Sequence, residues 1–281
     1  MMREVRAEEI KEVVSRLCME ANYYLGDDVR WAVEEAMKTE ESEVGRSILQ
    51  QILDNADAAR DEKVPMCQDT GFAVVFLDIG QDVHVVGGSL GEAIDAGVRQ
   101  GYTEGYLRKS VVDPPVDGKN TGDNTPAIVH TRIVPGDKVK ITLAPKGGGS
   151  ENMSRVGMLK PADGLEGIKE FCIDTVRRAG PNPCPPVVVG VGIGGTFEKV
   201  AFLAKKALLR RLDDQHPDPE MARLESEILE GVNALGIGPA GLGGRTTALG
   251  VKVEMFPRHI ASFPVAVNLN CHAARHRHAV I

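Results

Sequence analysis

No excess of positive charge marks this 281-residue sequence: 33 Lys and Arg stand against 40 Asp and Glu, for a formal net charge of −7. The basic field that would gather phosphate backbones or anionic lipid is missing, so nucleic acid is not expected as a partner. A few clustered arginines can still form a local pocket for a small anionic substrate. Long apolar segments are also missing. The longest uncharged run, residues 179–197, carries four prolines and five glycines, which makes it a poor membrane helix. The opening stretch MMREVRAEEIKEVVSRL lacks the apolar core and small-residue cleavage site of a secretory signal, and a cytoplasmic location with no membrane span is expected. Cysteine is sparse. Five residues, an odd number without short repeated spacing, do not form the disulfide framework of a secreted scaffold, so thiols or metal ligands are expected. Repeats, low-complexity segments and linkers are absent too.

What is present patterns as one α+β domain over residues 1–281, with an N-terminal helical layer and a mixed sheet flanked by helices. Apolar residues recur at helical spacing between residues 6 and 60, at Ile10, Val13, Val14 and Leu17 and again at Ile48, Ile52 and Ala56. The β-branched and aromatic run FAVVFLDI at 72–79 predicts a strand, and the turn GQD predicts its pairing with a second strand at 83–86. Helices are expected at 90–107, 166–179, 196–212 and 219–235. Further strands are expected at 128–133, 139–143, 187–193, 248–255 and 265–269, with a Pro-, Asp- and Gly-rich loop at 113–126.

Three cysteines fall where a loop meets an apolar strand. Cys67 lies in VPMCQDTG at 64–71, just before a predicted strand, with an amide, a carboxylate and a glycine behind it. Cys184 lies in AGPNPCPPVVVG at 179–190, where flanking prolines stiffen the loop. Cys271 ends a strand in VNLNCHAARH at 267–276. Long separations between the three suit convergence on one centre better than a local clip. Cys18 and Cys172 sit on predicted helices among apolar neighbours and are expected to be core residues. Three thiolates could hold zinc with an open position, although catalytic zinc usually recruits histidine and carboxylate. They could equally hold a [4Fe–4S] cluster, leaving one iron open as a Lewis acid, an arrangement suited to dehydration.

VPMCQDTG, KGGGSEN, NPCPPVVVGVGIGG and NLNCHAARH occur in this order, and together they resemble the N-terminal, cluster-binding domain of class I fumarases and L-tartrate dehydratases. The resemblance spans nearly the whole chain. It implies Cys67, Cys184 and Cys271 as the ligands of a [4Fe–4S] cluster. It further implies substrate contacts from Gln68, Asp69, Arg108 and Gly147, an active-site role for His259, and proton handling by Asp69 and His259. The implied activity is reversible hydration of fumarate to (S)-malate, with L(+)-tartrate dehydration as the alternative. Because the sequence ends soon after Cys271, the resemblance implies the α subunit of a split enzyme, whose separate β subunit completes an α2β2 assembly. A purely structural zinc protein is the rival from another class.

Two further motifs carry less. Gly190 to Gly195 fit G-x-G-x-x-G, but no second strand ending in an acidic residue follows at the required distance, so close strand–helix packing is expected rather than a dinucleotide. The histidines at 272, 276 and 278 lie in what reads as a solvated tail.

Overall fold

The computed structural model describes residues 2–281. In chain order its first elements are β1 (Arg3–Arg6), α1 (Ala7–Tyr23), α2 (Asp27–Thr39), α3 (Glu43–Glu62), β2 (Phe72–Gly80), β3 (Val83–Val86) and α4 (Leu90–Glu104). Then come β4 (Ile128–Val134), β5 (Val139–Lys146), the single turn α5 (Gly148–Glu151), β6 (Arg155–Leu159) and α6 (Gly164–Ala179). The last are β7 (Val187–Gly194), α7 (Phe197–Ala207), α8 (Pro219–Asn233), β8 (Ala248–Phe256), β9 (Phe263–Asn270) and β10 (Arg277–Val280). The fold is α+β with mixed sheets, as the patterning predicts. The chain divides into two compact units, each assembled from separated stretches.

The first unit comprises the residues up to Leu25, Asn55–Gly148 and Arg275–Ile281. Its sheet runs β10-β5-β2-β4, with β2 antiparallel to β5 and parallel to β4. Ala73, Val75 and Leu77 of β2 and Val139, Ile141 and Leu143 of β5 alternate inward, as strand geometry requires. They meet Ile10, Val14 and Leu17 of α1 and Ile94, Val98 and Tyr102 of α4 in one core. Helices α1 and α4 approach closely because α4 offers glycine: a Cβ on Gly97 or Gly101 would lie 2.6 Å from the carbonyl oxygen of Lys11 or Ser15. The expected hairpin of residues 72–79 with 83–86 does not form. Instead β3 pairs in parallel with β1. The Gln81–Asp82 turn carries the chain off the main sheet, and β1 is unexpected, because REVR is too charged to signal a strand.

The second unit comprises Gly26–Asp54 and Gly149–Ala274. Its sheet runs β6-β9-β7-β8, and β7 is buried along its whole length, parallel to β8 and antiparallel to β9. Val187, Val189, Val191 and Ile193 point to the core shared with α6 and α8. On the opposite face, Gly190 and Gly192 lie under α7, where a Cβ would come within 2.2 Å of the carbonyls of Ala204 and Val200. Close strand–helix packing therefore accounts for the glycine pattern.

Candidate cluster and substrate site

In the first unit, residues 67–71 form a loop whose backbone is held from several sides. Ahead of it, the Met66 N–H donates to the Asn22 carbonyl at 3.0 Å, and Asn55 Nδ2 donates to the Met66 carbonyl at 2.8 Å. Tyr102, fully buried on α4, directs its hydroxyl at the carbonyls of Thr70 and Gly71, each 2.9 Å away. Burial pushes that phenol well above its ordinary pKa, so it stays a donor. Asn124 Nδ2 adds a third hold on the Gly71 carbonyl at 3.2 Å. Gly71 has φ +76, and a Cβ there would lie 2.7 Å from the Lys146 nitrogen, so glycine is required on both counts.

The residues expected to meet substrate gather around this loop. Arg108 Nη1 donates to Gln68 Oε1 at 3.3 Å, and its own carbonyl accepts from Thr70 Oγ1 at 3.0 Å. Arg108 lies beyond α4 rather than on it, since Gly105 and the left-handed Tyr106 (φ +52) end the helix before the expected 107. Asp69 Oδ1 accepts from the Gly71 N–H at 3.0 Å and Oδ2 from the Gly148 N–H at 2.8 Å. The carboxylate thus fastens the KGGG turn to the loop, and a Cβ on Gly147 would lie 3.2 Å from Oδ2. Gln68, Asp69, Arg108 and Gly147 come together, and Cys67, half-buried, leads the same loop.

In the second unit, Cys184 is exposed at φ +55 on its proline-flanked loop. That loop is braced by the Ala240 N–H, which donates to the Pro185 carbonyl at 2.8 Å. Gly241 (φ +75) packs so tightly on Pro181 that a Cβ would come to 2.3 Å. The carbonyl of Cys184 faces both the backbone nitrogen of His272, at 3.4 Å, and its ring Nδ1, at 3.1 Å. The structure thereby brings together the backbones carrying Cys184 and Cys271. The ring contact requires the proton on Nδ1. His259 lies in the exposed turn after β8, where its Nδ1 accepts from the Ala261 N–H at 3.1 Å, leaving the proton on Nε2.

Cys18 and Cys172 are wholly buried in the two cores, and burial pushes both thiols far above the ordinary range. They are core residues, as expected. All five cysteines are thiols, and Cys67, Cys184 and Cys271 retain solvent access. Among the described residues, no group of three or more His, Cys, Asp or Glu is assembled as a metal site. The C-terminal segment is not a solvated tail: β10 pairs antiparallel with β5, and Arg275 is buried. Arginine and histidine on a two-faced edge strand give no apolar alternation to read.

Residues 11–280 match the family described as Fumarate hydratase (Fumerase). The chain belongs to the fumarate hydratase family. A protein of Methanocaldococcus jannaschii, provisionally named L(+)-tartrate dehydratase subunit alpha, is 46% identical over 274 residues, covering 95% of each chain. The L(+)-tartrate dehydratase subunit alpha of Escherichia coli K12 is 34% identical over 270 residues, covering 95% of this chain and 89% of its own length. The protein of the same name in Shigella sonnei matches to the same extent.

Some anchors in this fumarate hydratase family member carry no local signal in the sequence. Glu40 is 3% exposed, and its carboxylate accepts from the backbone of Ser42, Arg245 and Thr246, thereby shaping the glycine-rich stretch that leads back to the Cys184 loop. Glu151 of KGGGSEN is held by Lys205 at 2.6 Å and by Asn268 at 2.8 Å. An acidic residue between helices reads as a solvated charge unless the chain's return to it is known.

Proposed function

We propose that this chain is a hydro-lyase subunit acting on a four-carbon dicarboxylate, hydrating fumarate reversibly to (S)-malate together with a separate β subunit. The observation carrying this reading is the gathering of Gln68, Asp69, Arg108 and the Gly147 turn around the Cys67 loop, within a chain of the fumarate hydratase family. Cys67, Cys184 and Cys271 are the proposed ligands of a [4Fe–4S] cluster. Their donor chemistry fits: all three are solvent-accessible thiols on loops, whereas the two remaining cysteines are sealed in cores that oppose ionisation. When bound, such a cluster supplies an iron without a protein thiolate, a Lewis acid for the hydroxyl that leaves or enters.

The protein's own groups do the positioning. Arg108 can form a forked pair with one substrate carboxylate, and Gln68, whose oxygen already accepts from Arg108, orients its amide donors alongside. Asp69 accepts from the Gly71 N–H with one oxygen and from the Gly148 N–H of the glycine turn with the other, and keeps further lone pairs to accept a proton. His259 offers the Nε2 proton as an acid for a departing hydroxyl, its tautomer fixed by Ala261. The base for the carbon-bound proton comes from the β subunit, in an α2β2 assembly.

A second reading, dehydration of L(+)-tartrate to oxaloacetate, is favoured by the names of the relatives. Anaerobic assay of the chain with its β subunit against fumarate, (S)-malate and both tartrate enantiomers decides between the two. Turnover of fumarate and malate supports the first reading and turnover of L(+)-tartrate alone the second. Turnover by the isolated chain would overturn the split-enzyme reading.

A further inference from the structure

Arg275 stands four residues after Cys271 and heads the segment that enters β10. It is 4% exposed. Its Nη2 donates to the main-chain carbonyl of Asp69, while Nε and Nη1 are buried without an acceptor among the described residues. A guanidinium cannot shed its charge at ordinary pH, and burying its donors unpaired is destabilising. An apolar side chain of similar length would fill the same space at lower cost. What an apolar residue cannot do is grip the Asp69 carbonyl.

That carbonyl is one of three in succession taken by buried donors. Arg275 holds Asp69, Tyr102 holds Thr70 and Gly71, and Asn124 holds Gly71 again. Arg275 acts at the residue whose carboxylate also fixes Gly71 and Gly148. We propose that Arg275 is a positioning residue of the 67–71 loop, locking the Asp69 peptide so that Cys67, Gln68 and the Asp69 carboxylate are presented in a single conformation. The inference rests on reading that loop as part of the active site. The loss of stability from two unpaired donors is the cost of a rigid loop.

Amide hydrogen exchange on the full chain, with fragments resolved by mass spectrometry, tests this without requiring activity. Arg275→Met should speed exchange of residues 67–71 and of Gly148 by about tenfold or more, with β7 and β9 unchanged. Arg275→Lys, which keeps one cationic donor but not the planar fork, should fall between wild type and Arg275→Met. Unchanged loop exchange, or equal acceleration of the loop and of β7, would overturn the proposal. If Arg275→Met does not fold, Arg275→Lys decides by the same comparison. A wild-type chain that lacks hydro-lyase activity when assayed anaerobically with its β subunit would refute the proposed function and leave this comparison standing.

Discussion

Replacing Glu40 by glutamine should cost more stability than any surface charge. The wild-type carboxylate receives three backbone N–H groups, from Ser42 at 3.0 Å and Arg245 at 2.9 Å on Oε1 and from Thr246 at 2.7 Å on Oε2. Glutamine keeps one oxygen for the first pair but turns an NH2 toward Thr246, so two donors face each other in a buried place. Losing one charge-assisted bond and weakening two others amounts to about 2–3 kcal/mol, and Glu40→Ala, which leaves all three donors unmet, to about 3–5 kcal/mol. In a chain of this size that lowers Tm by roughly 5–10 °C for Glu40→Gln. The sign with pH follows from the same contacts. Burial works to raise the Glu40 pKa, but the N–H groups of Arg245, Ser42 and Thr246 outweigh it and hold the group below its ordinary value of 4.5. The contribution is therefore complete above the unfolded-state pKa and is lost as pH falls through the lower folded-state value. Thermal unfolding of both proteins should show a wide gap at about pH 7 that narrows progressively on acidification toward about pH 3. A gap below about 0.5 kcal/mol at neutral pH, or one that does not change with pH, would refute the clamp.

Two further predictions concern the site. Arg108→Lys should lower kcat/KM by about tenfold or more, close to 1.4 kcal/mol, because lysine cannot reproduce the fork on a carboxylate; an unchanged kcat/KM would make Arg108 a surface residue. Air should abolish activity, and ferrous iron with a thiol reductant should restore it, since an iron without a protein thiolate is the most easily lost; activity surviving aeration and strong chelation would favour a mechanism without a cluster.

Much of this was legible from local pattern. Strands with strong alternation or unbroken apolar character, such as β2, β7 and β9, and amphipathic helices such as α6 and α8, declare themselves. The elements missed are short or charged. β1, β6 and β10 sit at sheet margins, where one neighbour and one buried face leave little patterning, and α5 is a single turn that begins with two glycines, too short and too poor in helix formers to show a helical period. Pairing was less visible than strand position: nothing in GQD distinguishes a hairpin turn from one that sends β3 to meet β1. The partition into two units left no trace, because no linker separates them. The candidate site is legible as motifs, since CQD, KGGG and the three cysteines near strand ends are polar groups where apolar pattern stops. Its supports are not. Glu40, Arg275 and Tyr102 act on backbone far away in sequence, and each looks locally like an ordinary surface charge or core aromatic.

The most direct test of the three-cysteine assignment is iron and sulfide counted per chain, after anaerobic reconstitution, in five single Cys→Ser variants. Cys67→Ser, Cys184→Ser and Cys271→Ser should each lose the cluster, because two anchors remain where three are needed. Cys18→Ser and Cys172→Ser should keep a full complement, with lower thermal stability from a hydroxyl placed in an apolar core. A full cluster in Cys184→Ser, or its loss in Cys172→Ser while that protein remains folded, would contradict the account.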